Sequence, residues 1–252
     1  MVVTVSEADF EETITRTLTG ELPPTLEEEN PFVNPAFHYH LRTSADYDRN
    51  LCLIPDDLCG FIYATQADEW EKLKRQRGKE TRQGFLRRVK SEIERRGTID
   101  VLRKGIHDLG CVFHLAYFKP NSRLNQTHRN LYRQNIFSVV RQLHFSTRNQ
   151  QSLDLAIFVN GIPIFTAELK DPFTGQTAKH AIRQYRRDRD QREPLFRYGR
   201  CLAHFAVDSS RVYMTTHLVG EKTRFLPFNR GDPYDPDHPD RNPANPRGYD
   251  TA

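Results

Sequence analysis

Two apolar runs, Leu153 to Val159 and Ile162 to Leu169, flank the dipeptide Asn160-Gly161. No other feature constrains the fold as strongly. Asn-Gly between β-prone runs is the strongest short-range hairpin signal, because both central positions of the favoured turn need positive φ. The runs are apolar on nearly every residue rather than on alternate ones. A sheet with one wet face does not use that pattern, so both faces of the hairpin must be covered, and helices are the expected cover. The chain supplies them. From Thr177 to Arg189 a helix turns Ala178, Ala181, Ile182 and Tyr185 inward. From Thr81, as cap, to Arg96, Phe85, Val89 and Ile93 form a stripe that Gly97 ends.

The remaining elements follow from periodicity. Phe10, Ile14 and Leu18 lie on one face of an N-terminal helix. Ser6 and Asp9 resemble its capping box, Gly20 and Pro23-Pro24 end it, and Glu27 to Pro31 reads as a loop. Leu58 to Arg77 reads as helical with an interruption near Gly60, and Thr98 to Gly105 as a short helix. Cys111 to Phe118, Ile136 to Phe145, Arg200 to Val207 and Val212 to Thr216 read as strands, the last two joined at Asp208-Ser209-Ser210. The expected class is α/β: a mixed central β-sheet flanked by helices, with N-terminal helical additions. Residues 1–228 form one domain in this reading. From Asn229 to Ala252, with five prolines between Pro233 and Pro246, the chain reads as a linker or disordered tail.

Composition narrows the class of function. With 37% hydrophobic and 28% charged residues, the 252-residue chain is expected to be globular. No apolar run is long enough to span a bilayer, and the first residues lack a secretory pattern, so a cytoplasmic protein is expected. Cys52, Cys59, Cys111 and Cys201 form no C-x-x-C pair, which argues for buried thiols rather than zinc or disulfides. The net charge is +4 and the pI near 8.9, consistent either with a polyanionic partner or with a solvated basic face.

Glu168-Leu169-Lys170 closes the second apolar run, and Asp154 opens the first. Hydrolysis of a phosphodiester needs carboxylates for a hard cation such as Mg²⁺, a metal-bound water, and a positive group where charge develops. One Asp with Glu-x-Lys on the neighbouring strand supplies the protein's share. Lys170 is the only lysine in the chain with an acidic residue two positions before it. Glu168 and Lys170 share a face by the period of a strand. Asp154 is harder to place. A regular two-residue turn pairs Val159 with Ile162 and hence Asp154 with Ala167, which turns Glu168 away. A shared site therefore requires a three-residue turn or a bulge, and Pro163, which cannot donate to the ladder, makes irregular pairing there reasonable. The plain alternative is an exposed acid and lysine at a strand end, of little consequence.

The run from Ser152 to Lys170 resembles the nuclease core of the R (restriction and translocation) subunit of type I restriction enzymes, within the PD-(D/E)xK superfamily. The likeness continues through Thr174-Gly175-Gln176, Ala181 to Tyr185, Asp188 to Asp190, His204 to Val207, Tyr213 to Thr216 and Phe225 to Asn229. Upstream it takes in Leu115 to Pro120 and Asn135 to His144, with Arg141-Gln142. It implies an Mg²⁺-dependent endonuclease domain acting on double-stranded DNA beside modification and specificity subunits. Asp154, Glu168 and Leu169 would be the metal-binding set and Lys170 the catalytic lysine. Glu11 or Glu7 would be the acid on the first helix, with Glu11 preferred. Gln184 matches the Gln of a Gln-x-x-x-Tyr motif, but Asp188 stands in the Tyr position. The family subunit continues into ATP-driven motor domains. This chain has no Gly-x-x-x-x-Gly-Lys-Ser/Thr loop, so it reads as the nuclease part alone.

The arginines Arg183, Arg186, Arg187, Arg189, Arg192, Arg197 and Arg200 either contact phosphates or pair with Asp188, Asp190 and Glu193. Arg183, Arg186 and Arg187, with Arg141 beside the site, are the DNA-binding candidates. The basic faces of the Thr81–Arg96 helix read as a solvated or subunit-facing surface, and His204 as a core histidine. Two other functions compete: a catalytically silent module that docks DNA or subunits, and a DNA-binding regulator. The second lacks a helix-turn-helix or zinc pattern.

Overall fold

A computed structural model of the chain describes residues 7–21, 38–121, 125–171 and 175–229. Ser6, Pro23-Pro24, the Glu27 to Pro31 loop, Thr174 and the Pro-rich tail from residue 230 lie outside the described residues.

The hairpin forms the middle of the molecule. Its strands β5 (Ser152–Val159) and β6 (Ile162–Lys170) sit inside a seven-stranded sheet. The others are β1 (His40–Arg42), β4 (Phe137–His144), β7 (Ala203–Asp208), β8 (Val212–Thr215) and β9 (Leu226–Pro227), in the order β1-β4-β5-β6-β7-β8-β9. The sheet is mixed: β1 runs parallel to β4 and β6 parallel to β7, while the other neighbours are antiparallel. A parallel neighbour requires a crossover, and α7 (Ala178–Arg187) provides it between β6 and β7. The other helices are α1 (Glu7–Thr19), α2 (Pro55–Thr65), α3 (Ala67–Arg77), α4 (Thr81–Arg96), α5 (Thr98–Lys104) and α6 (Gln126–Arg133). A separate two-stranded ribbon pairs β2 (Ile106–Asp108) with β3 (Cys111–Phe113).

Both faces of the hairpin are buried, as its composition requires. One apolar cluster joins Ile162 and Ile164 to Leu58, Phe61, Phe85, Val89 and Ile93 of α2 and α4. The other joins Val140, Ala156 and Phe158 to Tyr185 of α7 and to Phe196. All four cysteines are free and buried.

The turn is locked rather than exposed. Asn160 (φ +49°) and Gly161 (φ +74°) take the left-handed conformations of a two-residue turn. Asn160 is fully buried, and its amide donates to the Leu115 carbonyl and to Asn135 Oδ1, 2.9 Å each. Its own Oδ1 accepts from Ile136 N–H at 2.7 Å. The Gly161 carbonyl accepts from Ile54 N–H at 2.8 Å, and a Cβ on Gly161 would lie 2.2 Å from the Ile54 carbonyl oxygen. The turn thus fits against the start of α2, where only glycine leaves room.

Several expectations need correction. The helical region after Leu58 is not interrupted at Gly60, which α2 runs through without steric conflict; the break falls at Gln66. Thr81 is not the cap of α4 but its first residue, following Glu80. Cys111 to Phe118 is not a strand of the main sheet; only Cys111–Phe113 is extended, and it pairs in the ribbon. The basic residues of α4 are exposed or half-buried, as a solvated surface requires, and largely ion-paired: Arg88, Arg95 and Arg96 converge on the buried Glu92, Lys90 faces Glu94, and Arg82 reaches Asp56.

Candidate active site

A bulge resolves the question of register. From the turn, Val159 pairs with Ile162 and Phe158 with Pro163; the next pair is Ile157 with Phe165, so Ile164 is skipped. Pairing then continues through Ala156–Thr166 to Leu155–Ala167. One further step in that register sets Asp154 across from Glu168. The two-residue turn is present, and the extra residue sits next to Pro163 and reverses the parity that the turn alone would impose. Lys170 Nζ lies 4.0 Å from Asp154 Oδ2, so the lysine and the two carboxylates occupy one side of the sheet.

Each group is held by different partners. Asp154 Oδ2 accepts from Leu169 N–H at 2.7 Å. In an antiparallel ladder the N–H and C=O of one residue leave along the same edge, so the Leu169 carbonyl also faces Asp154. A leucine side chain carries no ligand atom, so that carbonyl is the only one Leu169 can offer. Glu168 is fully buried; its Oε1 accepts from Arg189 Nε at 2.7 Å and lies 2.6 Å from Nη2 of the same guanidinium. Its Oε2 has no hydrogen-bond partner. Burial raises the Glu168 carboxyl, with Asp154 adding to the effect and Arg189 and Lys170 opposing it.

The first helix closes the site, and both of its candidate acids take part. Glu7 Oε1 accepts from Lys170 Nζ at 2.6 Å. Glu11, buried, accepts from Gln142 Nε2 at 2.5 Å and lies 3.4 Å from Arg141 Nε. Burial raises the Glu11 carboxyl, Gln142 opposes this, and Asp154 adds to it. Gln142 Nε2 also donates to Asp154 Oδ1 at 3.3 Å, while its own oxygen accepts from Ser152 Oγ at 3.0 Å. Gln142 has φ +46°, a costly conformation for a residue with a Cβ. Among the described residues no three His, Cys, Asp or Glu side chains converge in a ready-made metal cluster. Glu11 and Asp154 share Gln142 as a donor, whereas Glu168 has Arg189.

A recess of about 450 Å³ opens beside Lys170, lined also by Gln176, His180, Arg183, Gln184 and Asp188. Gln184 Oε1 is buried there without a partner. Among the DNA-binding candidates, Arg183 alone lines this recess, exposed and without an ion pair among the described residues. The others are engaged elsewhere. Arg186 donates twice to the Thr223 carbonyl, Arg187 pairs with Glu221, and Arg141 braces α1 through Glu11 and the Ala8 carbonyl. Arg192 pairs with Asp190, while Arg197 and Arg200 face Glu94. His204 is a core residue: burial pulls its imidazole down to about 3, and its Nδ1 sits 2.7 Å from Thr166 Oγ1, which also meets the Tyr185 hydroxyl at 2.8 Å.

Sequence reasoning assigned no role to Gln142, and it placed Arg189 only within a basic cluster. Gln142 carries no local signal, since only the broken ladder reveals its direction. Arg189 is one of several arginines after α7, and nothing in the spacing marks it as the one that turns inward.

No helix among the described residues is long and apolar enough to cross a membrane. Searches of curated proteins and of solved structures return no match. A scan against protein-family models matches residues 56–223, or 168 of the chain's 252, to the type I restriction enzyme R protein N terminus. That span holds the hairpin, α7, β7 and β8, while α1 with Glu7 and Glu11 lies ahead of it and β9 beyond it. The chain belongs to the family of type I restriction enzyme R protein N-terminal domains.

Proposed function

We propose that this domain is a PD-(D/E)xK-type, Mg²⁺-dependent DNA endonuclease, with Asp154, Glu168 and Lys170 at its centre. The observation that carries the reading is the Ile164 bulge, which sets Asp154 across from Glu168-Leu169-Lys170. The residues fit a hard divalent cation. Glu168 presents a buried, unpartnered carboxylate oxygen, and Asp154 and the Leu169 carbonyl are turned toward the same edge. Mg²⁺ takes one or two carboxylates and keeps several waters, so a preformed cage of three acids is not required. When bound, the ion would supply a water of lowered pKa and neutralise phosphate charge.

The chain's own residues do the rest. Lys170, buried and lining the recess, is placed to stabilise charge that develops on an attacked phosphate. To do so it must exchange Glu7 for the substrate. Arg183 and His180 offer phosphate contacts at the recess, and Gln184 offers an amide. The Arg183 contact is blind to sequence. In the cell, the reading places the domain in the cytoplasm within a restriction complex, where modification and specificity subunits select the DNA and a motor on the R subunit uses ATP.

The test pairs Mn²⁺ calorimetry with plasmid nicking. Glu168→Ala should lose both metal binding and cleavage. Lys170→Ala should keep metal binding and lose cleavage by about two to three decades, the usual loss of a preorganised charge-stabilising group. Wild-type protein that binds no Mn²⁺ leaves only the silent docking module standing.

A further inference from the structure

Arg189 contacts Glu168 in an unusual way. A guanidinium facing a carboxylate ordinarily spreads its fork over both oxygens. Here Nε donates to Oε1 at 2.7 Å, and Nη2 lies 2.6 Å from that same oxygen. Oε2, equally buried, receives nothing. The pair sits deep, with Glu168 fully buried and Arg189 8% exposed, and the guanidinium lies 5.5 Å from the centre of the Phe145 ring. Phe145 is itself fully buried in the cluster with Tyr185 and Phe196, so the fork has little freedom to tilt. Arg189 lies just past Asp188, the C-cap of α7, and its N–H donates to the Gln184 carbonyl at 3.2 Å. The helix that crosses the sheet therefore also delivers this charge to the end of β6.

We propose that Arg189 is a positioning residue: by claiming Oε1 it fixes Glu168 and presents Oε2 as the single oxygen for a divalent cation. This rests on the metal-dependent reading above. Two consequences follow. The cation binds beside a fixed positive charge, which restrains its affinity. And Glu168 has a counter-charge before the cation arrives, so the fold does not depend on metal. Removing Arg189 transfers that role to the cation.

The experiment uses the full chain and reads thermal unfolding with and without Mn²⁺, beside calorimetry. Without metal, Arg189→Met should melt roughly 10 °C below wild type, since breaking a buried pair strands its partner. Mn²⁺ should then raise its midpoint at least about twice as far as it raises that of wild type, because the ion now supplies the missing counter-charge. Glu168→Gln/Arg189→Met should recover most of the loss and show no Mn²⁺ shift. Should Arg189→Met fail to fold, Arg189→Lys keeps the charge but loses the fork, and it should bind Mn²⁺ roughly tenfold more weakly than wild type. Equal Mn²⁺ shifts in wild type and Arg189→Met, or unchanged affinity in Arg189→Lys, would show the pair to be merely structural and overturn the proposal while sparing the metal reading. Failure of wild type itself to bind Mn²⁺ overturns both.

Discussion

The two ends of one hairpin treat their polar groups in opposite ways. At the turn, Asn160 is buried with its amide and carbonyl oxygen bonded to three residues of two other segments, and Gly161 fits against α2 with no room for a methyl group. At the open end, a buried carboxylate keeps one oxygen bare, a lysine is tied to a partly exposed glutamate, and Gln142 holds a left-handed conformation. A buried polar group without a partner costs about 1–3 kcal/mol. The turn end spends nothing on such groups and gains rigidity. The open end tolerates them because the sheet around it is already determined.

That contrast can be broken most severely at the turn. Gly161→Ala combines a positive-φ penalty with a clash against Ile54, and should destabilise the fold by roughly 3–5 kcal/mol. A urea midpoint equal to that of wild type would mean the turn is not locked. Lys170→Ala should do the reverse, with a barrier to nicking higher by about 3–4 kcal/mol but stability altered by less than about 1 kcal/mol, its partner Glu7 being partly exposed. A large loss of stability would make the open end structural too.

The middle of the hairpin is probed by pH. Burial lowers the His204 imidazole from 6.5 to about 3, so below pH 6.5 the unfolded chain binds a proton that the folded one refuses. Its contribution is fully present above pH 6.5 and declines by about 1.4 kcal/mol per pH unit as the pH falls from there toward 3. His204→Gln should remove that component of the slope, and identical urea-unfolding slopes for the two proteins between pH 7 and 4.5 would exclude it. The smallest effect belongs to Tyr185→Phe, which deletes one hydrogen bond to Thr166 at constant packing and should cost about 1 kcal/mol. A cost several times larger would mean the network reaches Glu168.

What the sequence made legible follows the same division. Asn160-Gly161 and the unbroken apolar runs foretold a doubly covered hairpin, because turn chemistry and burial leave local marks. Glu168 and Lys170 could be paired from strand period alone, and the need for either a three-residue turn or a bulge could be stated in advance, though not which of the two the chain uses. The three-residue β1, the two-residue β9 and the short α6 left no periodicity to detect. Arg189 and Gln142 were hidden for another reason. Their roles depend on direction, set by a helix end and a left-handed backbone, and residue type does not encode direction. Most of the arginines after α7 read equally well as phosphate contacts, yet most are used within the fold.

The Ile164 bulge also limits how the gene can vary. Losing or gaining one codon between Asn160 and Glu168 would keep the hairpin but exchange its faces, carrying Glu168 and Lys170 away from Asp154. A two-codon change would preserve the facing. Ile164 is moreover buried in the cluster built on α2 and α4, so the residue that sets the phase of the site also anchors the core. A single-residue deletion scan along β6 should therefore be far less forgiving than a substitution scan of the same positions, and two-residue deletions should keep cleavage more often than single ones.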